Sequence, residues 1–181
     1  MEAFRSSAGR VSNSGGAGST ELVGELTPLQ EKLGEVHGLA LATPSVVARV
    51  EGRVDDEALR AELRALEVDG RDVQKRCARV AAAWGEEAYW DVLAHAAYVE
   101  RKAGALANAW FKAGTDAVQA YELLAMAEAG EVAATLSLRV LGEGDAEVAE
   151  LAAWALAVQE RHLQTALDGC VRAAAALPVR A

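Results

Sequence analysis

The chain has 181 residues, of which 52% are hydrophobic, so it is long enough for one domain with a substantial buried core. Only 5% of the residues are aromatic and only three are proline, a composition that favours long alanine-rich helices. The net charge of −9 would repel a phosphate backbone, which argues against nucleic acid as a partner.

Residues 1–24 are rich in serine and glycine and are predicted to form a flexible tail, because they cannot bury enough apolar surface to offset the entropy of ordering. They also lack the apolar stretch of a secretory signal. No apolar run approaches the roughly twenty residues of a spanning helix, so we expect no contact with a membrane. The sequence therefore predicts a cytoplasmic protein whose helical domain occupies residues 25–177.

The first predicted helix begins at Thr27, which is a good capping residue, with Pro28 in the first helical position. Gln30 completes a capping box, and the apolar residues then recur every three or four positions to about residue 53. Pro44 is expected to kink or break this helix, because its ring clashes with the carbonyl group four residues earlier.

Apolar residues continue at helical spacing through four further segments, at about 55–84, 86–113, 115–141 and 146–176. Gly85, Gly114 and Gly142 end three of the helices, and Asp145 caps the last one. No segment alternates with the period of two that is typical of a strand. Five long helices joined by short loops predict an all-α, up-and-down bundle.

Two cysteines lie on predicted apolar helix faces, Cys77 in the second helix and Cys170 in the fifth. Buried free thiols in a reducing compartment are the favoured interpretation. A disulfide would require these two helices to be neighbours.

Four polar residues are predicted to face the interior of the bundle. Gln159 and His162 lie one turn apart within the apolar stripe of the fifth helix. Glu122 lies at the centre of the apolar repeat of the fourth helix, and Glu100 lies in the stripe of the third. A buried carboxylate must be paired, bound to a metal or protonated, so these residues form the candidate site. The repeat predicted for the fourth helix comprises Val118, Glu122, Ala125, Ala129, Val132, Leu136 and Val140.

This pattern resembles the ferritin-like superfamily, and in length and helix spacing it is most similar to the small bacterial stress-associated members. The resemblance depends on Glu122 and on Gln159-Glu160-Arg161-His162, with a weaker match at Glu100-Arg101-Lys102-Ala103. In ferritin-like bundles two helices each provide a Glu and two provide Glu-x-x-His to a pair of metals. The resemblance implies that Glu100, Glu122, Gln159 and His162 correspond to metal ligands, with iron or manganese as the metal.

The chain departs from that pattern at every histidine, because none is preceded by Glu at the third position. The residues three before His37, His95 and His162 are Gly34, Val92 and Gln159. A neutral amide is a weaker ligand than a carboxylate for a hard cation. In the first two helices, Glu62 and Asp69 lie only at the edge of the inner stripes. We therefore expect a degenerate site without a bound cofactor.

Each of these polar residues also has a purely structural interpretation. Gln159 and His162 would then form a buried hydrogen-bonded pair with a neighbour such as Glu122, itself a satisfied or protonated core acid. Glu100 could equally lie at the edge of its helix. His37 and His95 are expected to be exposed. Trp154, on the flank of the fifth helix, indicates a neighbouring helix or a dimer partner.

Three hypotheses for function follow. The leading one is a non-catalytic ferritin-like bundle that acts in assembly or partner binding, as a homo-oligomer or with another protein through its helix faces. The alternative is a metal-dependent ferritin-like oxidase or iron-handling protein that uses iron or manganese. A third is a small-molecule pocket in the bundle core, lined by Glu100, Glu122 and aromatic residues.

Overall fold

The computed structural model describes residues 26–177, which form five α-helices and no strands. The helices are α1 (Pro28–Glu51), α2 (Glu57–Ala83), α3 (Glu86–Trp110), α4 (Ala117–Leu141) and α5 (Ala146–Ala175). The all-helical class and the five predicted helices are thus confirmed for this part of the chain, and the predicted tail lies outside it. None of the five helices is long and apolar enough to cross a membrane.

The helix starts follow the capping residues of the sequence. Thr27 and Gln30 form the predicted capping box of α1, and Pro28 occupies its first turn. Asp56, Asp116 and Asp145 accept hydrogen bonds from backbone N–H groups at the starts of α2, α4 and α5. These side chains satisfy donors that have no partner within the helix.

The break predicted at Pro44 does not occur, because α1 runs through this residue without interruption. Proline has no N–H group to donate to the carbonyl of Ala40 one turn earlier. Gln74 of α2 replaces that donor, with Nε2 placed 2.8 Å from the Ala40 carbonyl oxygen. A hydrogen bond from a neighbouring helix therefore compensates for the bond that Pro44 removes.

Four of the helices form a ring in which α1, α2, α5 and α4 pack in that order, with α4 closing against α1. The third helix, α3, lies outside the ring and packs chiefly against α1 and less against α2. The chain reverses direction at each connection, so α3 runs parallel to α1 and carries the chain along the bundle from the end of α2 to the start of α4. The bundle is thus a four-helix ring with one helical crossover.

Two glycines of α1 permit close contact with α3. A Cβ atom at Gly34 would lie 2.9 Å from His95 Cδ2, and one at Gly38 would collide with the carbonyl oxygen of Ala96. Both positions therefore require glycine for packing.

The core of the ring consists of two apolar clusters, one toward each end. The first contains Leu33, Val36, Val73, Cys77, Leu138 and Leu151 among others. The second contains Val47, Val50, Leu63, Leu66, Leu124 and Ala166 among others. Between them lies a group that we call the polar layer: Thr43, Asp69, Glu128, Glu131, Gln159 and His162. Each helix of the ring contributes to it.

Candidate functional site

The structure separates the four predicted site residues into two pairs. Gln159 and His162 are only 1% and 4% exposed, so the prediction that they face inward is confirmed. Glu122 and Glu100 are both exposed, and the prediction that they face inward is wrong. The four residues therefore do not share one site.

The error at Glu122 arises because α4 has two faces with heptad spacing. The inner seam, which the bundle buries, comprises Tyr121, Leu124, Glu128, Glu131, Thr135 and Leu138. The outer seam faces away from the bundle and comprises Glu122, Met126, Ala129, Ala133, Leu136 and Val140. Five of the six residues of the outer seam are apolar, against three of the six of the inner seam, so heptad spacing favours the seam that the bundle leaves exposed. The buried face of α4 as a whole also includes Ala120, Leu123 and Ala134.

The error at Glu100 has a simpler cause. Since α3 lies outside the ring, it buries only a narrow stripe that includes Val92, Ala96 and Ala107. The stripe is too narrow to include Glu100, which projects from the edge of the helix.

Glu131 is the centre of one half of the polar layer, and three helices meet at its carboxylate. The Thr43 hydroxyl donates to Oε1 at 3.1 Å, and Gln159 Nε2 donates to Oε2 at 2.6 Å. Burial raises the pKa of Glu131 well above its ordinary value, and the nearby charge of Glu128 raises it further. The two hydrogen bonds oppose that shift without cancelling it.

His162 is the centre of the other half, with a carboxylate on each side of its ring. Its Nε2 lies 3.1 Å from Asp69 Oδ2, and its Nδ1 lies 3.5 Å from Glu128 Oε2. Burial alone would lower the pKa of His162, but the two carboxylates reverse that effect, so its pKa lies above the ordinary value of 6.5. A protonated ring can donate from both nitrogens, which is the form that this position favours.

Two further titratable groups are buried outside the polar layer. His37 was predicted to be exposed but is 5% exposed, and burial lowers its pKa. Cys77 is a free thiol, and burial raises its pKa to about 12, with a smaller contribution from Glu131. Cys170 is also free and belongs to the opposite half of the core from Cys77, but it is only partly buried, so the interpretation as a buried free thiol is confirmed for Cys77 alone.

The polar layer is poorly suited to a metal ion. Within residues 26–177, no three His, Cys, Asp or Glu side chains are arranged to ligate one ion. The titratable side chains of the polar layer contact other protein groups. Glu131 accepts hydrogen bonds from neutral donors, and His162 lies between two acids. A metal ligand must instead present a free lone pair toward the ion.

Glu128 and Glu131 were missed in the sequence, although a signal for them exists. In an antiparallel helix pair, residues equally distant from the turn lie opposite each other. Glu131 and Gln159 are equally distant from Asp145, and so are Glu128 and His162. Aligning the two helices about Asp145 therefore places Glu131 opposite Gln159 and Glu128 opposite His162.

The remaining predicted features lie on the surface. Arg76 of α2 stacks over the Trp154 ring at 4.1 Å, so the neighbour predicted on that flank is a helix of the same bundle. Two open depressions are lined by Glu62, Thr165, Asp168, Val171 and Arg172, and by Arg76, Arg79, Val80, Glu147, Glu150 and Leu151. Neither includes Glu100, Glu122 or an aromatic side chain.

Comparisons with protein-family models, curated proteins and solved structures give no match to this chain. Its function is therefore inferred from its own residues. The two features that bear on it are the polar layer inside the ring and the outer seam of α4.

Proposed function

We propose that this chain is a non-catalytic helical bundle of the ferritin-like type that acts in assembly or partner binding. The observation that carries the proposal is the outer seam of α4. Met126, Leu136 and Val140 are 52%, 37% and 64% exposed. Between Glu122 and Arg139 the only charged residues of α4 are Glu128 and Glu131, and both of these are buried.

An uncharged apolar face of this kind is typical of an interaction surface. Burying a side chain such as Met, Leu or Val fully contributes roughly 1.5–3 kcal/mol relative to leaving it in water. In the isolated chain much of this stabilisation is missing, because the apolar side chains of the outer seam are exposed to water. A partner that covers the seam would recover it.

The polar layer accounts for the outward position of the outer seam. Glu131 can meet Thr43 and Gln159 only when the inner seam faces the ring. A rotation of α4 that buried the outer seam would break these hydrogen bonds, which are costly to lose once their groups are desolvated. Polar contacts in a core are known to select one register among several that are equally apolar. The layer would thus hold the outer seam available for a partner.

The ferritin-like part of the proposal is supported by the arrangement of the helices. Ferritin-like bundles join their two helix pairs through one long crossover connection and place polar residues between facing helices. Here α3 makes the crossover between the α1–α2 pair and the α4–α5 pair, and the polar layer lies between the two core clusters.

The non-catalytic part follows from the state of that layer. The family's iron or manganese does not fit the residues present, because the carboxylates and the imidazole are hydrogen-bonded or ion-paired to protein groups. The amide of Gln159, in the position of a metal-bridging acid, donates a hydrogen bond to Glu131. No metal-dependent step is therefore assigned to this site.

The experiment compares two alanine-to-glutamate variants, Ala133→Glu in the outer seam and Ala157→Glu on the exposed face of α5. Light scattering measures the mass of each protein in solution, and circular dichroism checks the fold. We expect the wild type and Ala157→Glu to exceed the 19.0 kDa of one chain, and Ala133→Glu to return to that mass. A strictly monomeric wild type whose binding to every partner survives Ala133→Glu would overturn the proposal.

A further inference from the structure

We infer that the partner of the outer seam is the outer seam of a second copy of this chain, with the two α4 helices antiparallel. The inference rests on the proposed function and names its partner. It depends on two properties of the seam: its symmetry and the charges at its ends.

The four central residues of the seam have the same order of side-chain sizes when they are read from either end. About its centre, Ala129 is the counterpart of Ala133, and Met126 is the counterpart of Leu136. In an antiparallel pair related by a two-fold axis, each residue meets its counterpart on the other copy. The small alanines would then cross at the centre, and the larger Met126 and Leu136 would pack on either side of them. This is the self-complementary pattern that a two-fold interface requires.

The charges at the ends of the seam favour the same orientation. Glu122 lies at one end and Arg139 lies near the other, and both are exposed. An antiparallel pair brings Glu122 of each copy close to Arg139 of the other. A parallel pair would bring Glu122 against Glu122 instead. Opposite charges at the rim of an interface fix its orientation, whereas like charges oppose it.

The orientation is tested with two single-cysteine variants, Ala129→Cys and Ala133→Cys, each made in a full-length Cys170→Ala background. In the antiparallel pair these two positions face each other across the interface. Under mild oxidation, an equimolar mixture of the two variants should form a disulfide-linked heterodimer, and each variant alone should remain unlinked. A disulfide requires Cα atoms within about 7 Å, so only a direct helix crossing satisfies it. Linkage within each single variant, or no linkage in the mixture, would overturn the inference.

The choice of a second copy is tested by exchanging the end charges. Glu122→Arg alone should weaken the dimer by roughly tenfold or more, because it places like charges together. Adding Arg139→Glu to the same chain should restore the wild-type dissociation constant in sedimentation equilibrium. A double variant as weak as Glu122→Arg alone would overturn the proposed pairing.

These outcomes separate the inference from the proposed function. A monomeric wild type would overturn the inference that the partner is a second copy. The proposed function would still stand if Ala133→Glu abolished binding of a different protein. A monomer in which the thiol of Ala133→Cys resists alkylation would assign the seam to another segment of the chain, such as residues 1–25, and would also overturn the inference.

Discussion

Gln159 of α5 donates a hydrogen bond to Glu131 of α4 across 2.6 Å, and both side chains are buried. The same carboxylate accepts a hydrogen bond from Thr43 of α1, so one acid links three helices at the junction between two apolar clusters. A rotation of α4 that exposed Glu131 would break both hydrogen bonds.

Replacing Glu131 with Gln should stabilise the protein at neutral pH. Because the pKa of Glu131 is raised in the folded state, the folded protein binds this proton more tightly than the unfolded chain does. Near pH 4.5 and below, the variant and the wild type should have similar free energies of unfolding. As the pH rises through the folded-state pKa, the wild type should lose stability relative to the variant.

The amide of Gln159 can rotate to accept from the new side chain, since its Oε1 atom has no hydrogen-bond partner in the described structure. Urea unfolding from pH 4 to 8 measures the difference. Glu160→Gln, at an exposed position of α5, serves as the control and should change the free energy of unfolding by no more than about 0.5 kcal/mol. A Glu131→Gln variant less stable than the wild type at pH 8 would show that the ionised acid is favoured.

His162→Gln should remove a pH-dependent contribution to stability. The folded-state pKa of His162 is raised above 6.5, so its contribution is fully present below that pH and is lost as the pH rises through the folded-state value. The stability advantage of the wild type over the variant should therefore be greatest below about pH 6.5 and should shrink at higher pH.

Taking the difference between the two proteins removes the effect of His37, whose lowered pKa acts in the opposite direction. NMR titration of the His162 ring gives the folded-state pKa directly. Asp69→Asn should lower that pKa by removing one of the two carboxylates. An advantage that does not vary with pH would mean that the pKa of His162 is the same in the folded and unfolded states, and one that grows as the pH rises would mean that folding lowers it.

Gln159→Glu, which creates a Glu-x-x-His sequence on α5, should be destabilising. It places a third carboxylate beside Glu131 and Glu128 in a buried position, at a cost of about 2–4 kcal/mol at neutral pH. The Tm at pH 7.5 should therefore fall. Added Mn²⁺ or Zn²⁺ should raise the Tm of the variant and leave that of the wild type unchanged. If the Tm of Gln159→Glu without added metal equals that of the wild type, water reaches the polar layer freely.

Gly38→Ala should destabilise the contact between α1 and α3. The new methyl group would collide with the carbonyl oxygen of Ala96, and backbone atoms cannot move aside as a flexible side chain can. Overpacking of this kind costs typically about 1–3 kcal/mol. Gly104→Ala on α3 is the matched control, because a Cβ atom there meets nothing within 4 Å in residues 26–177, and it should be neutral or stabilising. Equal effects in chemical denaturation would argue against close packing at Gly38.

The number of helices and most of their ends were predictable because they depend on local signals, but α3 ends at Trp110, before the Gly114 that was predicted to end it. Capping residues such as Thr27 and Asp145 mark the helix starts, and the buried stripe of α5 follows from one clear periodicity. The place of α3 was not predictable in this way. Its apolar stripe has helical spacing, but whether a helix joins the ring or packs outside it depends on contacts with distant parts of the chain.

The candidate site was only half predictable, for a reason particular to α4. Gln159 and His162 interrupt a single apolar stripe, which identifies them as buried polar residues. On α4, by contrast, more residues are apolar in the outer heptad seam than in the inner one, so periodicity alone selects the exposed seam and Glu122. The hydrogen bonds of Glu131 decide the rotation, and these become visible only when α4 is aligned with α5 about Asp145.

The central claim is that Glu131 and His162 of the polar layer are held by protein groups and not by a metal ion, and that the chain acts through its surface. Elemental analysis of protein purified without chelators tests this claim most directly. We predict iron, manganese and zinc far below one ion per chain, with no difference between the wild type and His162→Ala. Near-stoichiometric metal that is lost in His162→Ala would contradict the claim.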